Sequence, residues 1–469
     1  MTAPHIVWHR QDLRVADQPA LHHAATLGPV IPVFILDDER PGAFRYGGAH
    51  RWWLHHSLER LAQAYSRFGT TLILRRGDSV QVLAQLAHET GAGGVHAIRH
   101  YEPWWLQAER ELAAAFTNDC PLHFHNGNFL VPPDSVTSGS GRPYRIYAPF
   151  AKAAMGKMPP PEPLPPPAKL DAPATSPATD DLADWHLLPT KPDWAGGFRE
   201  FWRDAVGEDA ALRSVERFRE RIEHYATARN LPSQSGSSQL SPHLHWGEIS
   251  PATVWHSLAE LGGEGGDKFR GELLWRDFTQ NITIQFPDYA TEHFRDEFDR
   301  FPFRDPATDR QVAAELEAWR KGRTGYPIVD AGMRQLWHTG WMHNRVRMIT
   351  ASFLVKHLLV DWRHGERHFW DTLVDADYGN NAVNWQWIAG SGVDSQQFTR
   401  IMAPLGQSEK FDAAAYIRQF VPELVGLADA DIHDPPEDVR PADYPKPLIG
   451  HKEGRERALA AYRQMKAAS

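Results

Sequence analysis

Cysteine is almost missing from this chain, which has a single one, Cys120, among 469 residues. One thiol excludes a disulfide framework and any iron-sulfur cluster held by several thiolates. Long apolar runs are missing as well. No stretch of about twenty apolar residues exists, and His5, Arg10, Asp12, Arg14 and Asp17 interrupt the first thirty positions, so neither a membrane span nor a signal peptide is expected and the protein reads as cytoplasmic. The 25 histidines are scattered, without an HExxH or a paired Cys/His spacing, so no metal is expected. An excess of positive charge is also lacking. The formal net charge of −9 argues by itself against a nucleic-acid partner, because phosphate contacts need Lys and Arg. A local basic patch can still supply them: Arg217, Arg219, Arg221 and Arg229 cluster, whereas residues 429–443 are acidic.

What is present is a globular composition, 42% hydrophobic and 23% charged, on a chain too long for one ordinary core. The first 130 residues alternate short β-branched runs (5–8, 30–36, 71–75, 95–100, 123–125) with amphipathic stretches (18–27, 48–68, 79–90, 104–116). That alternation predicts an α/β doubly wound parallel sheet with helices on both faces and ligands at the carboxyl ends of its strands. Residues 131–194 form a linker, because 158–180 hold too many prolines for a helix or a central strand. From 195 to 469 the apolar spacing is helical, as in 211–225, 312–319 and 348–359, so the second domain is expected to be all-α. The polar segment 435–469 is expected to pack only loosely.

Residues 322–397 carry the densest chemistry. Trp337, Trp341, Trp362, Trp370, Trp385 and Trp387 stand among Arg345, Arg347, Asp375, Asp377, Asn344, Asn380 and Asn381. Aromatics beside partly buried charges need a ligand or tight pairing. Taken with VWHRQDLRVADQPAL (7–21), SSQLSPHLHWGEISP (237–251), GELLWRDF (271–278) and IMAPLGQSEKFDAAAYIRQFVPEL (401–424), this segment resembles the photolyase/cryptochrome family of blue-light flavoproteins over essentially the whole chain. FRYGGAHRWWLHHSL (44–58), GEISP and QSEKFD resemble its bacterial class III branch.

The resemblance implies an N-terminal antenna domain and a C-terminal FAD-binding domain. It implies FAD held by Tyr225, by Ser237, Ser238, Gln239, Leu240 and Ser241 around the diphosphate, and by Arg276, Arg347, Asp375, Asp377 and Asn381. Hydroxyls at a helix start suit phosphate, and Gln239 stands where the family usually carries Arg. Asn381 falls where photolyases keep an Asn facing the flavin N5. Trp275 and Trp387 resemble the pair that cradles a flipped pyrimidine dimer, and Glu272 the acid that binds it. Arg229, Arg345 and Arg400 match phosphate-gripping positions. Asn344 and Met348 stand where (6-4) photolyases carry histidines, and neither donates a proton that way. Trp385 and Trp362 match the inner and middle members of the electron-transfer chain, while Phe303 occupies the outer position; Trp337, Trp341 or Tyr378 are the alternative exits.

The expected activity is light-driven repair of cyclobutane pyrimidine dimers (CPD) in UV-damaged DNA by a deoxyribodipyrimidine photo-lyase, a monomer. The alternatives are a cryptochrome-like photoreceptor or a (6-4) photolyase. The expected antenna chromophore is 5,10-methenyltetrahydrofolate or a deazaflavin, with Trp104 and Trp105 able to stack on a pteridine ring.

Overall fold

The computed structural model describes residues 2–116, 120–395 and 397–467. The chain divides into two compact units, Met1–Glu220 with Ser238–Pro287, and Arg221–Ser237 with Asp288–Ser469.

The first unit carries five parallel strands, β1 (His5–His9), β2 (Val30–Leu36), β3 (Ile73–Arg76), β4 (Gly94–Ile98) and β5 (Leu122–His125), in the order β3-β2-β1-β4-β5. The alternation in the sequence thus becomes the expected doubly wound sheet. Every residue of β1, β2 and β4 is buried, as strands covered on both faces must be. Helices Pro19–Leu27, Gly48–Ser66, Ser79–Thr90 and Pro103–Ala115 connect the strands. Ser79–Thr90 begins where the Asp78 side chain accepts from Gln81 N at 3.0 Å and ends at Gly91, whose φ of 59° suits a glycine. The chain order reverses between β1 and β4, which opens a crevice at their carboxyl ends.

The proline-rich run has no regular structure, yet its backbone is tied down. Asp17 N donates to Leu164 O at 2.7 Å, Val30 N to Asp171 O at 2.9 Å, and Asp180 N to Leu74 O at 2.9 Å. Helices follow it, the longest being Gly263–Gln285.

The second unit is helical, and helices Pro327–Thr339, Asn344–Ser352, Trp362–Thr372 and Tyr378–Ala389 carry most of the candidate site. Two expectations change here. The apolar stripe over 348–359 is not one α-helix: it turns π-helical at Phe353–His357, with Leu358 N donating to Phe353 O at 3.1 Å, and Leu359 adopts φ 54°. The segment after 435 is not loosely packed. Helix His451–Ala467 buries Ala458, Ala461 and Met465 in a cluster with Phe298, Phe301, Leu359 and Phe398, and Tyr444 donates its hydroxyl to buried Asp330 at 2.7 Å. Small residues on one face of that helix allow a close approach that its polar composition concealed.

Candidate functional site

In the second unit, Asp375 is nearly inaccessible and pairs with Arg347, whose Nη2 lies 2.9 and 3.1 Å from the two carboxylate oxygens. Arg347 Nε donates to Met342 O at 2.8 Å, which fixes the guanidinium plane. Asp377 caps helix Tyr378–Ala389: its Oδ1 accepts from Asn380 N at 2.7 Å and from Asn380 Nδ2 at 2.9 Å. One turn into that helix, buried Asn381 spends its Nδ2 on Glu366, donating to Oε1 at 2.9 Å and to the carbonyl at 3.1 Å.

Glu366 is absent from the expected site. It is 1% exposed, and burial first, against a smaller opposing effect of Arg367 and the Asn381 bond, raises its carboxyl to about 7. The signal was in the sequence: Trp362, Gly365, Glu366, Phe369 and Trp370 share one helix face at i, i+3, i+4, i+7 and i+8, so an acid lies inside an apolar stripe.

Both tryptophans expected to carry the electron are buried. Trp362 Nε1 donates to His293 Nδ1 at 3.1 Å, and the His293 ring stacks on Phe303 at 5.9 Å and 7°. Trp385 packs on Phe369 and Trp319, and its buried Nε1 has no hydrogen-bond partner among the described residues. Its indole fills the space above Gly365, where an added Cβ would come within 2.1 Å of Cη2. Gly365 lies three residues after Trp362, so that glycine seats Trp385 against the face that carries Trp362. Of the three alternative exits, Trp337 is 60% exposed, whereas Trp341 and Tyr378 are buried.

Asn344 is exposed at the start of helix Asn344–Ser352, and half-buried Met348 lies one turn on, its Sδ 3.6 Å from Arg345 Nη1. Adjacent His343 is turned inward and 3% exposed, and its Nδ1 accepts from Arg345 N. Burial, then Arg345, Arg347 and Arg229, lower it to about 4. It is therefore neutral at physiological pH and does not act as an acid in place of the residues beside it. Arg345 lies over Phe411, 4.6 Å from the ring centroid, and Arg229 lies 5.4 Å over buried Tyr225. Arg400 and Trp387 are exposed and half-buried, respectively.

In the first unit, helix Gly263–Gln285 places Glu272 and Trp275 one turn apart. Half-buried Trp275 meets Tyr147 at 4.8 Å and 61°, and Glu272 lies 3.7 Å from Lys268. Arg276 is held by backbone, donating to Asn128 O and to Leu244 O, with its guanidinium over Phe129. The run 237–241 crosses from the second unit into the first. Gln239 takes φ 55°, Leu240 N donates to Ser238 Oγ at 3.3 Å, and the cap of helix Ser241–His245 falls on Leu240, which offers no side-chain cap.

The two tryptophans offered for an antenna pack against neighbouring side chains. Trp105 is buried edge-on against Trp8, with Arg10 over both rings, and Trp104 stacks on Phe44. Another face of the same helix lines a cavity of about 360 Å³ with Leu106, Glu109, Arg110 and Ala113, completed by Arg99, Tyr101, Asp134 and Ile284.

A guanidinium-carboxylate pair, a capping carboxylate and an amide set in an aromatic surround suit the polar edge and apolar faces of an isoalloxazine. The comparisons with known proteins place the chain beside flavin-binding relatives. Residues 5–168 match the DNA photolyase family, and residues 269–464 match the family described as the FAD binding domain of DNA photolyase. A deoxyribodipyrimidine photo-lyase of Agrobacterium fabrum is 44% identical over 99% of this chain and 98% of its own length. Cryptochrome-1 of Arabidopsis thaliana is 35% identical over 98% of this chain and 70% of its own. The crystal structure of a bacterial class III photolyase from Agrobacterium tumefaciens superposes with a TM-score of 0.93 at 44% identity, covering 100% of this chain and 98% of that one. No described helix is long and apolar enough to cross a membrane.

Proposed function

This chain belongs to the photolyase/cryptochrome family, and from that membership we propose that it is a light-driven lyase that splits cyclobutane pyrimidine dimers in UV-damaged DNA. FAD, when bound and reduced, supplies the electron under blue light. The observation that carries the repair reading is Asn381. With both Nδ2 protons held by Glu366, its amide offers only a carbonyl oxygen, an acceptor suited to the N–H that a reduced flavin carries at N5. Arg347 balances Asp375 on the same site, and Asp377 fixes the helix start that carries Asn381.

Tyr225, Ser237, Ser238, Gln239, Leu240, Ser241 and Arg276 hold the remainder of the FAD. Protonated Glu272 donates a hydrogen bond to the dimer carbonyl or shares its proton with it, Trp275 and Trp387 wall the flipped bases, and Arg229, Arg345 and Arg400 meet phosphates. Trp385 and Trp362 deliver the electron that reduces the flavin. Asn344 and Met348 put no proton-donating histidine where (6-4) photolyases carry one, and inward-turned, neutral His343 does not replace it. That favours the cyclobutane dimer over the (6-4) product. The 360 Å³ cavity lies within the usual ligand range, about 300–1,000 Å³, and offers Arg99 and Arg110 to a carboxylated tail and Tyr101 to a ring. It supports a folate antenna there better than at Trp104 and Trp105; a deazaflavin is the alternative, and fluorescence of the acid-extracted chromophore distinguishes them. By sequence pattern the antenna, linker and FAD-binding regions divide at 1–130, 131–194 and 195–469, a division that differs from that into compact units, and the protein works on cytoplasmic DNA as a monomer.

Illumination of the reduced protein with a thymine-dimer oligonucleotide, followed by product chromatography, tests the reading. Intact dimers with the flavin demonstrably reduced refute it and favour a photoreceptor, the reading supported by the likeness to Cryptochrome-1. A (6-4) oligonucleotide repaired faster than the dimer refutes the choice of lesion.

A further inference from the structure

Five histidines that are far apart in the sequence meet on one face of the sheet in the first unit. His96 of β4 is in register with His123 of β5, and Ile98 with His125, so His96, His123 and His125 share a face. His5 of β1 pairs with Gly94, two residues before His96, and joins them. Helix Pro19–Leu27 brings His23 over the same face, its ring 5.1 Å from His96, 5.4 Å from His123 and 5.3 Å from His125.

The ring nitrogens converge. His23 Nδ1 lies 3.3 Å from His96 Nδ1, and one nitrogen each of His23, His96 and His125 falls within 4.8 Å of the other two. Tetrahedral zinc with Zn–N bonds of about 2.0–2.1 Å has ligand edges of about 3.3–3.4 Å, so the His23–His96 pair already stands at a chelating separation. The other nitrogen of His96, Nε2, lies 3.1 Å from His5 Nδ1. Neutral His96 has one proton; placed on Nε2 and donated to His5, it leaves Nδ1 bare toward His23, the outer hydrogen bond that metal-bound imidazoles commonly make. His125 Nε2 is buried without a hydrogen-bond partner among the described residues. His23 is exposed, which gives an ion a route in.

We propose that His23, His96 and His125 form a binding site for one first-row divalent transition-metal ion. Three imidazoles without thiolate or carboxylate suit zinc or copper and not magnesium or calcium. None of the three histidines is among the residues assigned to flavin or lesion.

The test uses the full-length flavoprotein, chelator-stripped and titrated with zinc chloride and separately with copper sulfate by calorimetry, with cobalt(II) as an absorbance probe. The expected result is one equivalent bound, with affinity at least about tenfold weaker and the cobalt d–d band lost in His23→Ala and in His125→Gln. Flavin content and dimer repair stay unchanged in both variants. His56→Ala is the control, because His55, His56 and Glu59 form a second, surface group. Stoichiometry and affinity unaltered in His23→Ala and His125→Gln, loss of binding only in His56→Ala, or no saturable binding to the unmodified protein would each overturn the proposal.

Discussion

Asn381 and Glu366 form a buried amide-carboxyl pair in which Asn381 Nδ2 lies 2.9 Å from Glu366 Oε1 and 3.1 Å from its carbonyl oxygen. Glu366 thereby takes the amide nitrogen and leaves the carbonyl oxygen as the end proposed to meet the flavin. Asn381→Asp replaces the donating amide by a second carboxylate and sets two acids against each other. We expect reduced-flavin stability and dimer repair per absorbed photon to fall at least about tenfold, measured by flavin absorbance during anaerobic reduction and by product chromatography.

The raised carboxyl of Glu366 gives a pH signature. Its folded value of about 7 lies above the ordinary 4.5, so between those values the folded protein keeps a proton that the unfolded chain has lost. Stability from this group is therefore present below about 4.5 and lost as pH rises through 7, by about 3 kcal/mol. Glu366→Gln keeps a neutral acceptor and should flatten that part of the melting-temperature profile between pH 5 and 8. An unchanged slope counts against a protonated Glu366.

Arg347 and Asp375 should respond asymmetrically. Arg347→Ala strands a carboxylate that is 1% exposed, at a cost of about 3–5 kcal/mol. Arg347→Lys keeps the charge but not the planar contact with both oxygens and should cost less stability. Flavin retained on a desalting column, read beside the melting temperature, should fall in both variants and further in the alanine one.

Trp385→Phe should abolish photoreduction while sparing repair by chemically reduced enzyme; normal photoreduction refutes the assignment. Gly365→Ala tests the same ring from outside, because its Cβ would meet Cη2 at 2.1 Å. Photoreduction should slow several-fold, and overpacking should cost about 1–3 kcal/mol.

His293→Ala removes the acceptor of the buried Trp362 Nε1–H. An unpaired buried donor costs about 1–3 kcal/mol, so the melting temperature should drop, and photoreduction should slow while repair by reduced enzyme persists.

The sequence by itself determined the parallel sheet, because fully buried strands must be written as continuous apolar runs, and β2 lies where its run predicted. It also determined the family, since the motifs are local strings. It set Glu366 inside an apolar stripe but could not show that it packs under Asn381 from a neighbouring helix, and it did not reveal His293, which is 69 residues from the tryptophan it receives a bond from. Nor could it show that Trp104 stacks on Phe44 and Trp105 meets Trp8 edge-on. The five histidines make the same point most plainly. Positions 5, 23, 96, 123 and 125 have no recognisable spacing, and only strand register and one covering helix bring their rings together. Periodicity is a property of one element, whereas a site is made where several elements meet, and the tertiary structure alone decides that meeting.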